Sequence, residues 1–238
     1  MKNYEKISPL ITPTLNKFDK ILCQSQDNLT NFLQLGANHN RCLVSGNLKF
    51  DISINTTILD KKAQLTVLLP QHRQLWLVAS THQGDEEIAL TAFKQIKSLF
   101  PTLLLVLVPR HPERFSTVEK LCLSHDFTLV KRSENTPVES QDIWLLDTLG
   151  ELMAAYSLAN IVTMGGSFSH IGGHNPLEPA LFKKPIIVGS DMSNFTEVLQ
   201  QLKHLQGIVQ LTKSQTTHDQ SPNLTNKGTT FVKCTKKT

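Results

Sequence analysis

Residues 160–189 read NIVTMGGSFSHIGGHNPLEPALFKKPIIVG. An apolar run of strand length, Asn160–Met164, breaks at Gly165-Gly166-Ser167. A second glycine pair, Gly172-Gly173, leads into His174-Asn175-Pro176. Asparagine is a good helix cap and proline suits a first helical turn, so a short helix is predicted over Pro176–Phe182. Pro185–Gly189 is a second apolar run. Neither run alternates apolar with polar, as expected for strands covered on both faces of a parallel sheet.

The same pattern extends outward. Strand-length runs recur at Lys20–Ser25, Arg41–Ser45, Leu75–Ser80, Leu103–Pro109, Phe127–Lys131, Asp142–Asp147 and Gly207–Leu211. Helix-like segments lie between them. Asp85–Phe100 carries Ile88, Phe93, Ile96 and Leu99 and stops at Pro101; Leu29–Leu35, Pro112–Ser124, Leu149–Leu158 and Asn194–Leu205 complete the set. Strands alternating with helices predict an α/β fold with a Rossmann-like, doubly wound parallel sheet. Residues 1–40 read as the tail end of a preceding domain and 41–211 as the Rossmann-like domain. Residues 212–238, polar and without period, read as a disordered tail.

Composition narrows the function classes. The 238 residues are 39% hydrophobic, enough for one full domain and part of another. The formal charge of +4 lies entirely in the five lysines and one aspartate after Leu211, so the folded body is balanced and nucleic-acid binding is not inferred. Cys23, Cys42, Cys122 and Cys234 form no CxxC pair, which argues against a zinc ribbon or redox motif and reads as thiols of a reducing compartment. Charged residues at the start argue against a signal peptide, and the longest apolar run is too short to span a bilayer. The chain reads as cytoplasmic in character.

In open α/β sheets ligands sit at the carboxyl ends of the strands. The segments following the strands are rich in polar residues and glycine: Ser80-Thr81-His82, Pro109-Arg110-His111, Leu149-Gly150-Glu151, and Gly165 through Glu178. Two readings stand beside each candidate. Gly165, Gly166 and Ser167 either bring backbone and hydroxyl donors to a phosphate or make a plain strand-to-loop turn. Glu178 either accepts from ribose hydroxyls or simply starts a helix. Leu149–Glu151 opens a helix whose amides can meet a phosphate or base edge. Arg110 offers a fork of donors to an oxyanion or pairs with Glu113 at the surface. Lys49 is a second cation or a solvated loop lysine. Ser80, His82 and His174 are further candidates. Walker, dinucleotide, HExxH and GxSxG spacings are all absent, so a P-loop, a zinc protease and an α/β-hydrolase are not indicated, and no metal is expected.

At these residues the chain resembles the C-terminal half of the bacterial 3-deoxy-D-manno-octulosonic acid (Kdo) transferases. The matching runs are Val44-Ser-Gly-Asn-Leu-Lys-Phe-Asp51, Ala79-Ser-Thr-His-Gln-Gly-Asp-Glu-Glu87, Val108-Pro-Arg-His-Pro-Glu-Arg-Phe115, Asp147-Thr-Leu-Gly-Glu-Leu152, and Gly165-Gly-Ser with Gly172-Gly-His-Asn-Pro-Leu-Glu-Pro179. They cover roughly residues 18–211. The resemblance implies two Rossmann-like domains facing a cleft, the GT-B arrangement. CMP-Kdo is then bound by the C-terminal domain and a lipid A precursor by the N-terminal one. It implies Kdo transfer with inversion, without a metal or other cofactor, at the cytoplasmic face of the inner membrane in lipopolysaccharide synthesis.

The positions similar to the family's CMP contacts are Pro109, Arg110, Leu149, Gly150, Glu151, Asn175, Pro176, Leu177 and Glu178. The family's general base lies in the N-terminal domain, so no residue here is a candidate for that role and this chain alone is expected to be inactive. Gly189-Ser190-Asp191 departs from the family's usual Gly-Pro-His, and the segment after Leu211 departs altogether. Two alternatives remain: a non-catalytic nucleotide-binding or assembly module, and a UDP-sugar epimerase or transferase of the same architecture.

Overall fold

The computed structural model describes residues 8–24, 26–46 and 53–212. The chain divides into two compact units between Ser53 and Ile54. The first is a small β-α-β unit. Helix α1 (Ser8–Leu15) precedes strand β1 (Ile21–Cys23), helix α2 (Gln26–Gln34) and strand β2 (Cys42–Val44). The two strands pair in parallel, with Ile21 opposite Cys42. The Thr12 hydroxyl donates to the Leu35 carbonyl at 2.8 Å, and Arg41 donates to the carbonyls of Asn16 and Phe18. Strand β2 pairs with β1 in a two-stranded sheet and belongs to the first unit.

The second unit holds α3 (Thr56–Thr66), β3 (Leu75–Thr81), α4 (Asp85–Ile96), β4 (Leu104–Pro109), α5 (Phe115–Ser124), β5 (Leu129–Lys131) and β6 (Ile143–Leu145). It continues with α6 (Leu152–Leu158), β7 (Ile161–Met164), α7 (Leu177–Leu181), β8 (Ile186–Val188), α8 (Thr196–His204) and β9 (Ile208–Gln210). The seven strands form one sheet in the order β5-β6-β4-β3-β7-β8-β9, and every pairing is parallel. The apolar runs are continuous because the sheet is covered twice. On β3, Leu77 and Ala79 face one layer while Trp76 and Val78 face the other; on β4, Leu104 and Val106 oppose Leu105 and Leu107 in the same way. Successive strand residues point to opposite faces, so burying both faces removes the polar alternation.

Helices begin later than their sequence signals. The 3₁₀ turns Pro112–Arg114 and Ser193–Phe195 precede α5 and α8, and α6 starts only at Leu152. Cys23 and Cys122 are buried, Cys42 is half-buried, and Cys234 lies outside the described residues, as does nearly all of the expected tail, 213–238.

Candidate functional site at the sheet switch point

Strand order reverses between β3 and β7. From β3 the chain first adds strands on one side, then crosses over to β7 on the other. In open α/β sheets such a reversal is the place where a ligand crevice forms, outside the carboxyl ends of the two strands. The strands approach closely there: a Cβ on Gly165 would lie 2.4 Å from the Ser80 carbonyl oxygen. Ser80 itself is held at φ 54°, in the left-handed region that serine rarely visits. Asp85 ties the two loops together. Its Oδ2 accepts from the His82 amide at 2.8 Å, the Gly166 amide at 2.7 Å and the Ser169 hydroxyl at 3.3 Å. Burial pushes this carboxyl above its ordinary range, against the pull of the Gly166 and His82 amides.

Beneath the loop after β3, the fully buried Glu86 accepts from the Thr81 hydroxyl at 2.6 Å. It also receives two guanidinium N–H groups of Arg114 at 2.7 and 3.0 Å. The Arg114 guanidinium also donates to the Thr81 carbonyl at 3.1 Å, and the Arg110 amide donates to the same carbonyl at 3.0 Å. This network fixes the end of β4, and with it Pro109 and Arg110.

Arg110 is exposed, and its guanidinium forms no ion pair among the described residues. The surface partner expected for it, Glu113, lies 3.9 Å from His111 instead. Across the crevice, Glu178 occupies the first turn of α7. Burial raises its carboxyl above the ordinary value, opposed first by the charge of Arg110 and then by hydrogen bonds from Asn175 and Tyr156. The Asn175 side-chain oxygen accepts from the Leu177 amide at 3.2 Å, which orients the amide group. A free cation and a half-buried, solvent-reaching carboxylate thus share one crevice.

Three imidazoles border it. His82 and His174 share a hydrogen bond between their Nε2 atoms at 2.9 Å, with ring centroids 5.1 Å apart and ring planes within 8° of parallel; His111 meets His82 edge-on at 5.3 Å. Gly166, at φ 69°, makes room for the pair: a Cβ there would press on the His174 ring at 3.0 Å.

Several of the sequence candidates are already committed within the fold. For Gly165, Gly166 and Ser167 the hydrogen bonds favour the plain strand-to-loop turn, one of the two readings. The Gly165 amide donates to the Ala79 carbonyl and the Gly166 amide to Asp85. The buried Ser167 hydroxyl donates to the Met164 carbonyl at 2.6 Å and accepts from the Gly189 amide at 2.8 Å. The Glu151 side chain is likewise committed, to Arg132 and to a short hydrogen bond from Thr148, so only the backbone of that turn is open to a ligand. Leu149 is exposed, and Lys61 Nζ donates to the Gly150 carbonyl at 2.8 Å. Pro176 and Leu177 sit at the start of α7 beside Glu178. Asp191 accepts from the Gly172 and Ser193 amides, so the loop around it braces the glycine loop. Lys49 lies outside the described residues.

Asp85, Glu86, Arg114, Tyr156 and Lys61 escaped the sequence reading. The acidic triplet 85–87 looks like an ordinary helix start, and no spacing announces that Tyr156 meets Glu178 or that Lys61 meets the Gly150 carbonyl. Among the described residues, no group of three His, Cys, Asp or Glu is placed to hold a metal, and no helix is long and apolar enough to cross a membrane.

A family model described as 3-deoxy-D-manno-octulosonic-acid transferase (kdotransferase) matches residues 1–52. A Haemophilus influenzae protein named 3-deoxy-D-manno-octulosonic acid transferase is 40% identical over 193 residues, covering 80% of this chain and 45% of its own length. A Rickettsia felis protein of the same name is 36% identical, with 83% and 42% covered. The chain therefore spans less than half the length of these relatives. A crystal structure of the C-terminal CMP-Kdo binding domain of WaaA from Acinetobacter baumannii superposes with a TM-score of 0.61 at 30% identity, covering 66% of this chain and 83% of that one. Anabaena Alr3699/HepE, at 16% identity and a TM-score of 0.51, shares the fold alone. The chain belongs to the 3-deoxy-D-manno-octulosonic acid transferase family.

Proposed function

We propose that residues 54–212 form the donor-binding domain of a GT-B glycosyltransferase that moves Kdo from CMP-Kdo to a lipid A precursor, with inversion, in lipopolysaccharide synthesis at the cytoplasmic face of the inner membrane. The observation that carries this reading is that the Arg110 guanidinium, without an ion pair among the described residues, lies near enough to the half-buried Glu178 carboxylate for its charge to act on it, both at the carboxyl edge of β3 and β7. A nucleotide can use both: a cation for its phosphate and an acceptor for its ribose hydroxyls. The crystal structure most similar in fold and sequence among those described above is of a domain that binds this donor.

Pro109 and Arg110 meet the phosphate, the backbone of Leu149–Glu151 meets the base edge, and Asn175–Glu178 meet the ribose. As the glycosidic bond breaks, negative charge grows on the CMP phosphate, and Arg110, whose backbone is anchored at the end of β4, stabilises it there. A sugar hydroxyl attacks well only once its proton is taken. No residue of this crevice is assigned that task, and the base belongs to the domain of which residues 1–53 form the end. We assign no metal or other cofactor to the reaction.

Calorimetry with CMP and UMP tests the assignment. CMP is expected to bind in preference to UMP. Arg110→Ala and Glu178→Ala are each expected to weaken CMP binding by about tenfold or more, the worth of a charged hydrogen bond, about 1.5–3 kcal/mol. Equal affinity for UMP, or unchanged CMP affinity in both variants, overturns it.

A further inference from the structure

We propose that the His82–His174 imidazole pair is an oxyanion receptor at the edge of the donor crevice, one that acquires its charge by taking up a single proton when the anion binds. The proposal rests on the donor-site reading above and names a task for residues that reading leaves unused.

The geometry dictates the proton count. One neutral ring donates its Nε2–H to the Nε2 lone pair of the other, across 2.9 Å. The donating ring then has a bare Nδ1, and the accepting ring carries its proton on Nδ1. The free pair therefore offers one donor and one acceptor, a poor match for an oxyanion. A proton added to the bare Nδ1 leaves the Nε2–Nε2 bond intact. It turns both outer nitrogens into donors and places one positive charge on the pair. A second proton is opposed, because both Nε2 atoms would then carry hydrogens and the shared bond would break.

The surroundings keep the empty pair neutral. The loop after β3 supplies His82, the end of β4 supplies Arg110 and His111, and the following 3₁₀ turn supplies Arg114. Glu86 lies below, bound by Arg114, and Asp85 is occupied by amides; Glu178 faces Arg110 from α7. Burial first, then the charges of His82, Arg110 and His111, hold His174 down to about 4; burial and His111 hold His82 below its usual value. An arriving oxyanion offsets that positive field and reverses the preference, so binding and protonation favour each other.

The test is imidazole ¹⁵N NMR of the full chain, titrated with pH in the free state and with cytidine, CMP or CMP-N-acetylneuraminate, a CMP-linked sugar acid. One imidazole of the pair is expected to shift its midpoint upward by at least one unit, a tenfold gain in affinity across that interval. A shift with CMP identifies the phosphate as the anion; a shift with the sugar acid alone identifies the carboxylate. His174→Asn and His82→Asn are each expected to leave the affinity with only the pH dependence of the ligand's own ionisation. Binding of both nucleotides with neither imidazole shifted, or an equal shift with cytidine, overturns the receptor while leaving the donor site standing. Failure of all cytidine ligands to bind removes both.

Discussion

Asp85 commits one carboxylate oxygen to three donors and leaves the other, Oδ1, buried without a partner. Its carboxyl is therefore raised from the ordinary 3.8, chiefly by burial. For a carboxyl raised on folding, stability is greatest below the ordinary value and is lost as pH climbs through the folded one. Asp85→Asn keeps an acceptor but no charge. The difference in unfolding free energy between wild type and this variant is expected to move against the wild type as pH rises from about 4. Chemical denaturation at several pH values reads it directly, and a flat difference contradicts it.

The same residue shows what a sequence discloses at this scale. Arg110 and Glu178 were legible because position alone, after a strand and at a helix start, brings them to the ligand edge. For Ser167 and Gly166 the two readings stay inseparable in sequence for a physical reason: spacing shows that a donor exists but not whether it is already committed. Asp85 was invisible because its work depends on β7, which meets it only in the folded sheet.

Among elements, all nine expected strands are present, each within a residue or two of its apolar run. Burial on both faces writes a strong signal. Two helices gave none. Helix α3 buries only Leu65, and α1 carries Pro13 inside it, so neither shows the apolar stripe that marks a helix against a core. Within the seven-stranded sheet legibility follows burial, whereas β1, β2 and α2 are legible although little of them is buried.

At the end of the sheet opposite the crevice, one side chain gathers four carbonyls. Arg73, nearly buried, donates to the carbonyls of Thr102, Leu103, Glu139 and Gln141, and the Asn160 side chain accepts from the Leu75 amide nearby. Arg73→Met strands these carbonyls without donors. The expected loss is about 3 kcal/mol, or roughly 6–12 °C in melting temperature for a unit of this size. CMP affinity is expected to stay unchanged, because the staple lies at the far end of the strands. Calorimetric melting and titration of the same variant check both halves.

For the whole molecule, the division at Ser53 assigns the sheet, both of its apolar layers and every crevice residue to the second unit. Residues 54–212 expressed alone are expected to melt in one cooperative transition and to retain the nucleotide preference of the longer chain. A broad, non-cooperative transition contradicts this.

The strand order also bears on how the protein is made. β3 leaves the ribosome before every other strand of its sheet yet ends at the centre, between β4 and β7. β4 follows within a short stretch and covers one edge. The other edge waits for β7. At about 5–20 residues per second, the ~80 residues from the end of β3 to the start of β7 take roughly 4–16 s to synthesise. Throughout that interval Leu75–Thr81 presents a row of unpaired amides and carbonyls beside apolar side chains, a template for pairing with another nascent chain. The strand that opens the donor crevice in the finished protein is thus the one most in need of protection by chaperones during synthesis.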